Sequence, residues 1–211
     1  MASMHLTSLE EYLKTVVAAM RAKAKALEPK VDRYQKAVRS EKSHERYQKA
    51  NSQLEDFRHD FPALTYETTF VATFARLENT LKGFCEKLQE SKRYKLTLGD
   101  LGGQDNVDKC KTYLLKVAVI PFNFQKSAEW SEIKNLQAIR NKFAHHRGRL
   151  PRAEQGEDKT TTTLKAYIAS KKTLKLSGFN DIILTEQFCI DSIEVIRRFI
   201  KELAEVIQGT L

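Results

Sequence analysis

Apolar residues recur at three- and four-residue intervals along most of the chain, which predicts a mainly helical protein. The first such segment opens with Ser8 and has Glu11 three residues later, a pattern typical of a capping box at a helix N-terminus. Pro29 lacks an amide proton, so we expect it to end or interrupt this first helix.

The next segment, residues 30–59, is charged, rich in good helix formers and carries only a thin apolar stripe. It predicts a long and partly exposed helix that packs against the first one. Residues 5–60 would then form an N-terminal helical hairpin, closed by Phe61 and Pro62.

The widest apolar stripe lies in residues 65–89, which predict a helix that faces a core. Its members recur at helical spacing: Phe70, Phe74, Leu77, Leu81, Phe84, Cys85 and Leu88. Glu78 lies on the same stripe, and a buried carboxylate is costly unless a cation pairs with it. The stripe therefore predicts that Glu78 has a basic partner on another helix.

Turn and cap residues divide the second half of the chain into further elements. A helix over residues 107–120 would stop at Pro121, and Ser127 would cap another helix that ends at Gly148 and Pro151. The polar stretch 147–163 predicts a mobile loop, residues 173–185 a small β-hairpin, and Thr185 the cap of a final amphipathic helix.

Together these elements predict an all-α class, mainly helical, with one small β-hairpin. We expect a single domain over residues 1–211, in which residues 65–207 form a helical bundle and residues 5–60 the appended hairpin.

Composition favours a protein that binds a polyanion. The chain carries 36 Lys and Arg against 27 Asp and Glu, a formal net charge of +9. Nucleic acid leads the possible anionic partners, although lysine-rich helix surfaces alone would give the same balance. The three isolated cysteines, the absence of a secretory signal pattern and the absence of a long apolar run predict a reduced, cytoplasmic protein without a membrane span.

The helix before Gly148 carries the candidate chemistry, in the segment AIRNKFAHHRG at residues 138–148. On a helical wheel, Asn141 and His145 lie one turn apart and point away from the apolar face, while Arg140 lies at its edge. His146 points back toward that face.

This set suits RNA cleavage without a metal. An imidazole can transfer protons near neutral pH, and a guanidinium can stabilise the phosphorane formed when a ribose 2′-OH attacks phosphorus. Complete acid–base catalysis needs a second group, which a two-fold dimer would supply. The structural alternative is that Arg140 braces Glu78 and that the histidines interact with the helix dipole, and spacing alone favours this alternative.

At RNKFAH the sequence resembles the HEPN superfamily, whose pattern is arginine, four to six residues, then histidine. His145 meets the four-residue spacing and His146 the five-residue spacing, and the Arg-Asn form favours His145. The resemblance implies a HEPN-like bundle, no cofactor, and a homodimeric, metal-independent endoribonuclease that acts as a toxin or antiviral effector, with a possible antitoxin or regulatory partner.

The resemblance also implies roles for individual residues. Arg140, His145 and Asn141 would be catalytic, and Glu78 and His146 are possible supporting residues. The basic side chains nearby are candidates for RNA binding: Lys142, Arg147, Arg149 and Arg152. Toxins paired with nucleotidyltransferase antitoxins often have tyrosine where this chain has Arg147, so that subgroup is not assigned.

Two alternatives stay open on the sequence. A non-catalytic HEPN-like helical dimer could bind nucleic acid or scaffold a protein partner, using the charged hairpin at residues 8–59. A metal-dependent hydrolase is less favoured, because His145 and His146 are adjacent rather than one helical turn apart.

Overall fold

Helices make up most of the chain in the computed structural model, which describes residues 2–103, 105–151 and 158–211. The α-helices are α1 Ala2–Lys36, α2 Glu41–Glu55, α3 Phe61–Lys92, α4 Asn106–Lys116, α5 Ala128–His146, α6 Lys159–Ser170 and α7 Glu186–Gln208. A π-helical turn, Asp56–Asp60, joins α2 to α3, and a short 3-10 helix spans Leu98–Asp100. Strands β1 Leu174–Leu176 and β2 Ile182–Leu184 pair antiparallel. The predicted mainly helical class with one small β-hairpin is confirmed.

The core forms where α3, α5 and α7 pack together, with α4 and the first half of α1 around them. The predicted stripe on α3 is buried at Phe70, Phe74, Leu77, Leu81, Cys85 and Leu88, and Phe84 is half-buried. One end of the core holds an aromatic group in which Trp130 and Phe124 pack edge to face at 4.9 Å and Phe199 lies 5.5 Å from Trp130. Burial of these large side chains is the main stabilising term of the bundle.

The prediction that Pro29 ends or interrupts the first helix is wrong. Helix α1 continues through Pro29 to Lys36, a length of 35 residues. Pro29 lies on the exposed side, while Ala24 and Val31 on either side of it pack into one cluster with residues of α2. This packing stabilises the helix on both sides of Pro29 despite the missing amide hydrogen bond.

The turn of the hairpin lies instead between α1 and α2. Ser40 caps α2, since its hydroxyl accepts a hydrogen bond from the Ser43 amide and the Ser43 hydroxyl accepts one from the Ser40 amide. The cap is thus a reciprocal capping box. The predicted hairpin exists, but its second helix begins at Glu41 rather than near residue 30.

The prediction that Phe61 and Pro62 close the hairpin is also wrong, because α2, the π-helical turn and α3 form one continuous helical rod from residue 41 to residue 92. In the π-helical turn the amide of Phe61 donates to the carbonyl of Asp56, five residues back. This wider turn accommodates Pro62, which has no amide proton for the next hydrogen bond.

We call residues 24–55 the arm. It has a small hydrophobic cluster of its own, separate from the main core, that contains the buried residues Ala24, Val31, Ala50 and Leu54. Leu27, Tyr34, Tyr47 and Phe57 pack against this cluster without being fully buried. The arm is therefore a helix pair held together mainly by its own contacts.

Helix α4 ends at Lys116, four residues before its predicted end. Val119 adopts a left-handed conformation with φ of 49°, and the Ile120 amide donates to the Leu114 carbonyl in a turn. The residue before a proline avoids the helical region, so the chain leaves the helix well before Pro121.

The prediction of a mobile loop over residues 147–163 is wrong at both ends of that range. Residues 148–150 form backbone hydrogen bonds with the β-hairpin, and residues 159–163 belong to α6. The Asp158 carboxylate caps α6 by accepting from the Thr161 amide at 2.7 Å. Residues 152–157 lie outside the described residues.

The prediction that Ser8 caps the N-terminus of the first helix is wrong, because α1 begins at Ala2 and Ser8 lies inside it.

The predicted β-hairpin and final helix agree with the fold. In the β-hairpin, Leu174 faces Leu184 and Leu176 faces Ile182, as expected for a turn at residues 177–181. The Thr185 hydroxyl caps α7 by accepting from the Phe188 amide at 3.2 Å. Among the described helices, none is long and apolar enough to cross a membrane.

Candidate active site

Helix α5 carries the motif and is anchored by its apolar face. Its N-terminus is capped as predicted, with the Ser127 hydroxyl accepting from the Trp130 amide at 3.1 Å. Ile133, Leu136 and Ile139 are buried, and Phe143 is half-buried with its ring 6.4 Å from that of Phe70. The helix therefore has little freedom to rotate, and this fixes the directions of its polar side chains.

Arg140 is held between two residues of α3. Its guanidinium donates to the carboxylate of Glu78 and lies 4.8 Å from the centre of the Phe74 ring. Only 18% of the Arg140 side chain and 21% of the Glu78 side chain are exposed, so the ion pair is partly desolvated. The predicted pairing of Glu78 with a basic residue of another helix is confirmed. Sequence reasoning missed Phe74 as a stacking partner, since it looked like an ordinary core residue.

Asn141 and His145 lie one turn apart on the side of α5 that faces away from the core. Asn141 is half-buried and His145 is exposed. Among the described residues, no side chain hydrogen-bonds to either of them. Both side chains are thus available to a ligand, and Arg140 precedes Asn141 directly along the helix.

His146 faces a different surface. Together with Lys142, Arg149, Leu150 and Pro151, it lines a surface cavity of about 270 Å³. The ring centres of His145 and His146 are 6.4 Å apart and their planes are inclined by 69°. The two histidines therefore lie on two neighbouring surfaces. His145 is on the surface with Asn141, and His146 lines the basic cavity.

The C-terminus of α5 needs two left-handed residues. Arg147 has a φ of 52° and Gly148 a φ of 77°, and the amides of both donate to the carbonyl of Lys142. A Cβ atom on Gly148 would lie 2.6 Å from the Phe143 ring, closer than atoms approach in folded proteins. Glycine at this position lets the chain turn back tightly over Phe143.

After this turn the chain pairs with the β-hairpin. The Ile182 amide donates to the Gly148 carbonyl at 2.9 Å, and the Leu150 amide donates to the Asn180 carbonyl at 3.0 Å. Arg149 forms an ion pair with Asp181 at 2.7 Å. Since the partners lie 32 residues apart, no local pattern in the sequence signals this pairing. It fixes the end of α5 to the rest of the fold.

The candidate RNA-binding residues lie around this end of α5. Lys142 is half-buried, whereas Arg147 and Arg149 are exposed, and Arg152 lies outside the described residues. Lys142 is close enough to Asp158 to help lower the pKa of that carboxyl, which is lowered mainly by hydrogen bonds from the Thr161 hydroxyl and amide. The site thus contains one firmly held guanidinium, two histidines and further basic side chains.

The end of α5 thus carries groups that can exchange protons and a group that can stabilise negative charge. An imidazole accepts and donates protons, while a guanidinium stays charged and binds phosphate oxygens in a planar fork. Comparison of the chain with protein-family models, with curated proteins and with solved structures finds no match. The residues themselves therefore carry the functional argument.

Proposed function

We propose that the protein is a metal-independent endoribonuclease of the HEPN type. The observation that carries this proposal is the arrangement of RNKFAH at the end of α5, where Arg140 is held by Glu78 and Phe74 while Asn141 and His145 are open to a ligand. Stability alone requires the pairing of Arg140 with Glu78, but it does not require the amide of Asn141 and the imidazole of His145, which have no side-chain partner among the described residues.

In the proposed reaction the ribose 2′-oxygen attacks the adjacent phosphorus and the bond from phosphorus to the 5′-oxygen breaks. His145 accepts the proton of the 2′-OH or donates one to the leaving 5′-oxygen. Arg140 stabilises the charge on the non-bridging oxygens through the guanidinium N–H groups that Glu78 leaves unused. The products are a 2′,3′-cyclic phosphate and a 5′-hydroxyl. Asn141 shapes the site by hydrogen bonding to the substrate.

The second acid–base group would come from a second copy of the chain. A two-fold dimer that brings two α5 ends together would place one His145 on each side of the scissile phosphate. In the cell we expect such an activity to serve as a toxin or an antiviral effector, restrained by an antitoxin or a regulatory protein.

The proposal is tested with an RNA cleavage assay in the presence of a chelator, followed by analysis of the product ends. We compare the wild type with His145→Ala, Arg140→Ala and His146→Ala. His5→Ala is the matched control, because His5 is an exposed histidine of α1 that lies outside both the α5 site and the arm.

Cleavage by the wild type and His5→Ala that leaves cyclic phosphate ends, and a loss of at least about 100-fold in His145→Ala, would support the proposal. The His146→Ala variant decides between the two histidines. Cleavage that persists in both histidine variants would refute it.

The second candidate is a non-catalytic module that binds nucleic acid or a protein partner. The ion pair between Arg140 and Glu78 favours it, since a partly buried brace of this kind has a structural use without catalysis. A folded wild-type protein that binds RNA tightly and leaves it intact over long incubation would support this candidate instead.

A further inference from the structure

The outer half of the arm carries a concentration of positive charge. Residues 30–49 contain seven basic side chains and three acidic ones, a net charge of +4 out of +9 for the whole chain. The basic residues are Lys30, Arg33, Lys36, Arg39, Lys42, Arg46 and Lys49, and all of them are exposed. About a tenth of the chain thus holds nearly half of its net charge.

These seven side chains differ in their partners from some of the basic residues of the bundle. Arg140, Arg149 and Arg197 in the bundle pair with carboxylates. On the arm, no carboxylate of the described residues pairs with any of the seven. Cations that repel one another on a small helix pair reduce its stability. Small contributions within the fold offset part of this cost, since Lys30 lies 5.8 Å from the centre of the Tyr34 ring and Arg33 and Lys36 lie in the last turn of α1, where positive charge is favourable.

The apolar side chains of the arm pack against the arm's own hydrophobic cluster. Tyr34 and Tyr47 are half-buried against the cluster of Ala24, Val31, Ala50 and Leu54. Residues 30–49 contain none of the large hydrophobic side chains that are exposed among the described residues. A helix that lies on a membrane surface needs a wide apolar face toward the lipid. A single-strand binder needs exposed aromatic rings on which bases stack. The arm presents neither.

The arm leaves the bundle at the end where the candidate site lies. Phe70 of α3 is near Phe143 of α5 and near Phe188 of α7, with ring distances of 6.4 and 5.4 Å. At the same end α1 passes α7, where Arg21 pairs with Glu186 at 2.6 Å. Helix α1 then runs outward for fifteen residues to Lys36. At 1.5 Å per residue this is an extension of about 22 Å.

We propose that the arm binds the phosphate backbone of an RNA duplex that adjoins the segment cleaved at the α5 site; the choice of RNA rests on the proposed ribonuclease function. A helix pair with cations on both helices offers positive charge to the two phosphate rows of a duplex, and counterions released from the duplex drive the binding. The protein is therefore specific for structured RNA, in which a stem lies beside the cleaved strand.

The test measures binding of a fluorescently labelled hairpin RNA by anisotropy over a series of salt concentrations. The protein carries His145→Ala so that the RNA stays intact. The arm variant adds Lys36→Ala, Arg39→Ala and Lys42→Ala. The matched control adds Lys87→Ala, Lys95→Ala and Lys201→Ala, three exposed lysines of the bundle without carboxylate partners among the described residues. Both variants lose the same charge.

We expect the arm variant to bind the hairpin at least about 10-fold more weakly and to lower the slope of log affinity against log salt by about 2 to 3. The control variant should stay within about 2-fold of the parent. Circular dichroism checks that both variants keep their helix content.

Three results would overturn the inference: equal losses in the two variants, unchanged binding by the arm variant, or arm-dependent binding to vesicles of phosphatidylcholine and phosphatidylserine without any change for RNA. A wild-type protein that cleaves no RNA but shows arm-dependent RNA binding would refute the proposed ribonuclease and leave only the binding of duplex RNA by the arm. The two proposals therefore fail in different experiments.

Discussion

The two ends of the helical rod from residue 41 to residue 92 differ in burial and in the pairing of charges. In α3, Phe74 and Leu77 are completely buried, and Glu78 is paired with Arg140. In α2 only Ala50 and Leu54 are buried, and the basic residues have no carboxylate partner among the described residues. On the buried stripe of α3 the carboxylate of Glu78 is paired, whereas the basic side chains of α2 stay available to a ligand. The bundle therefore fixes the positions of a few polar side chains, whereas the arm exposes many basic side chains to solvent.

The largest effect is expected when a side chain of the core is truncated. We expect Phe74→Ala to lower the free energy of unfolding by about 3 to 5 kcal/mol, because it leaves a cavity and removes the ring under Arg140. Leu54→Ala, the matched change in the arm, should chiefly open the arm locally. Denaturant unfolding measures the global loss, and hydrogen exchange of arm amides measures the local one. Similar global losses in both variants would contradict the comparison.

Removal of Glu78 tests whether the brace and the chemistry can be separated. Glu78→Ala leaves Arg140 partly buried without its partner, and we expect a loss of about 2 kcal/mol. The double variant Glu78→Leu with Arg140→Leu should recover stability, because it removes both charges together. In the proposed ribonuclease the double variant stays inactive although it is folded. An active double variant would show that Arg140 only braces the fold.

Gly148 tests the turn that ends α5. Gly148→Ala should cost about 1 to 2 kcal/mol, because alanine resists a φ of 77° and its Cβ would meet the Phe143 ring. Thermal unfolding measures the loss. Gly178→Ala is the control, since nothing lies within 4 Å of the corresponding position. Equal shifts in melting temperature would contradict the role assigned to the turn.

A substitution at Arg147 should raise the stability of the fold, whereas the substitution at Gly148 lowers it. Arg147→Gly relieves a left-handed non-glycine residue and should stabilise the fold by up to about 1 kcal/mol. If Arg147 also contacts RNA, the same variant binds RNA more weakly while it melts at a higher temperature. A variant that is both less stable and unchanged in RNA affinity would contradict both expectations.

The smallest expected effect concerns Glu67, one of the half-buried residues of α3. Burial raises the pKa of this carboxyl, so its ionised form destabilises the fold at neutral pH. Glu67→Gln should therefore stabilise the protein near pH 7 by less than about 0.5 kcal/mol, because solvent screens a half-exposed group. As the pH falls below the ordinary glutamate pKa of about 4.3, this advantage should disappear. An advantage independent of pH would contradict the assignment.

The periodicity of apolar residues correctly predicted the features that depend on a single helix. The stripe on α3 and the apolar face of α5 were visible as repeats, and Glu78 and Arg140 stood out because they interrupt or border those repeats. Their pairing followed from the high cost of a buried charge. Caps at Ser127 and Thr185 depend only on hydrogen bonds three residues away, so they too were predictable.

Two of the wrong predictions involve contacts between distant segments. Helix α1 continues past Pro29 because α2 supports it, and the chain after α5 is ordered because the β-hairpin binds it. Helix α6 was missed because its threonine-rich start has weak helix propensity and only Thr161, Leu164 and Ile168 are buried. The Asp158 cap and the spacing of these three residues could have indicated it.

The continuous rod also has a thermodynamic consequence. A binding element on a flexible linker loses conformational entropy when its ligand orders it, and that loss weakens the affinity. The arm joins the bundle through an uninterrupted helix, so its orientation is already determined when the protein folds. A ligand that binds at the tip therefore meets a preorganised surface and retains most of the free energy of its contacts.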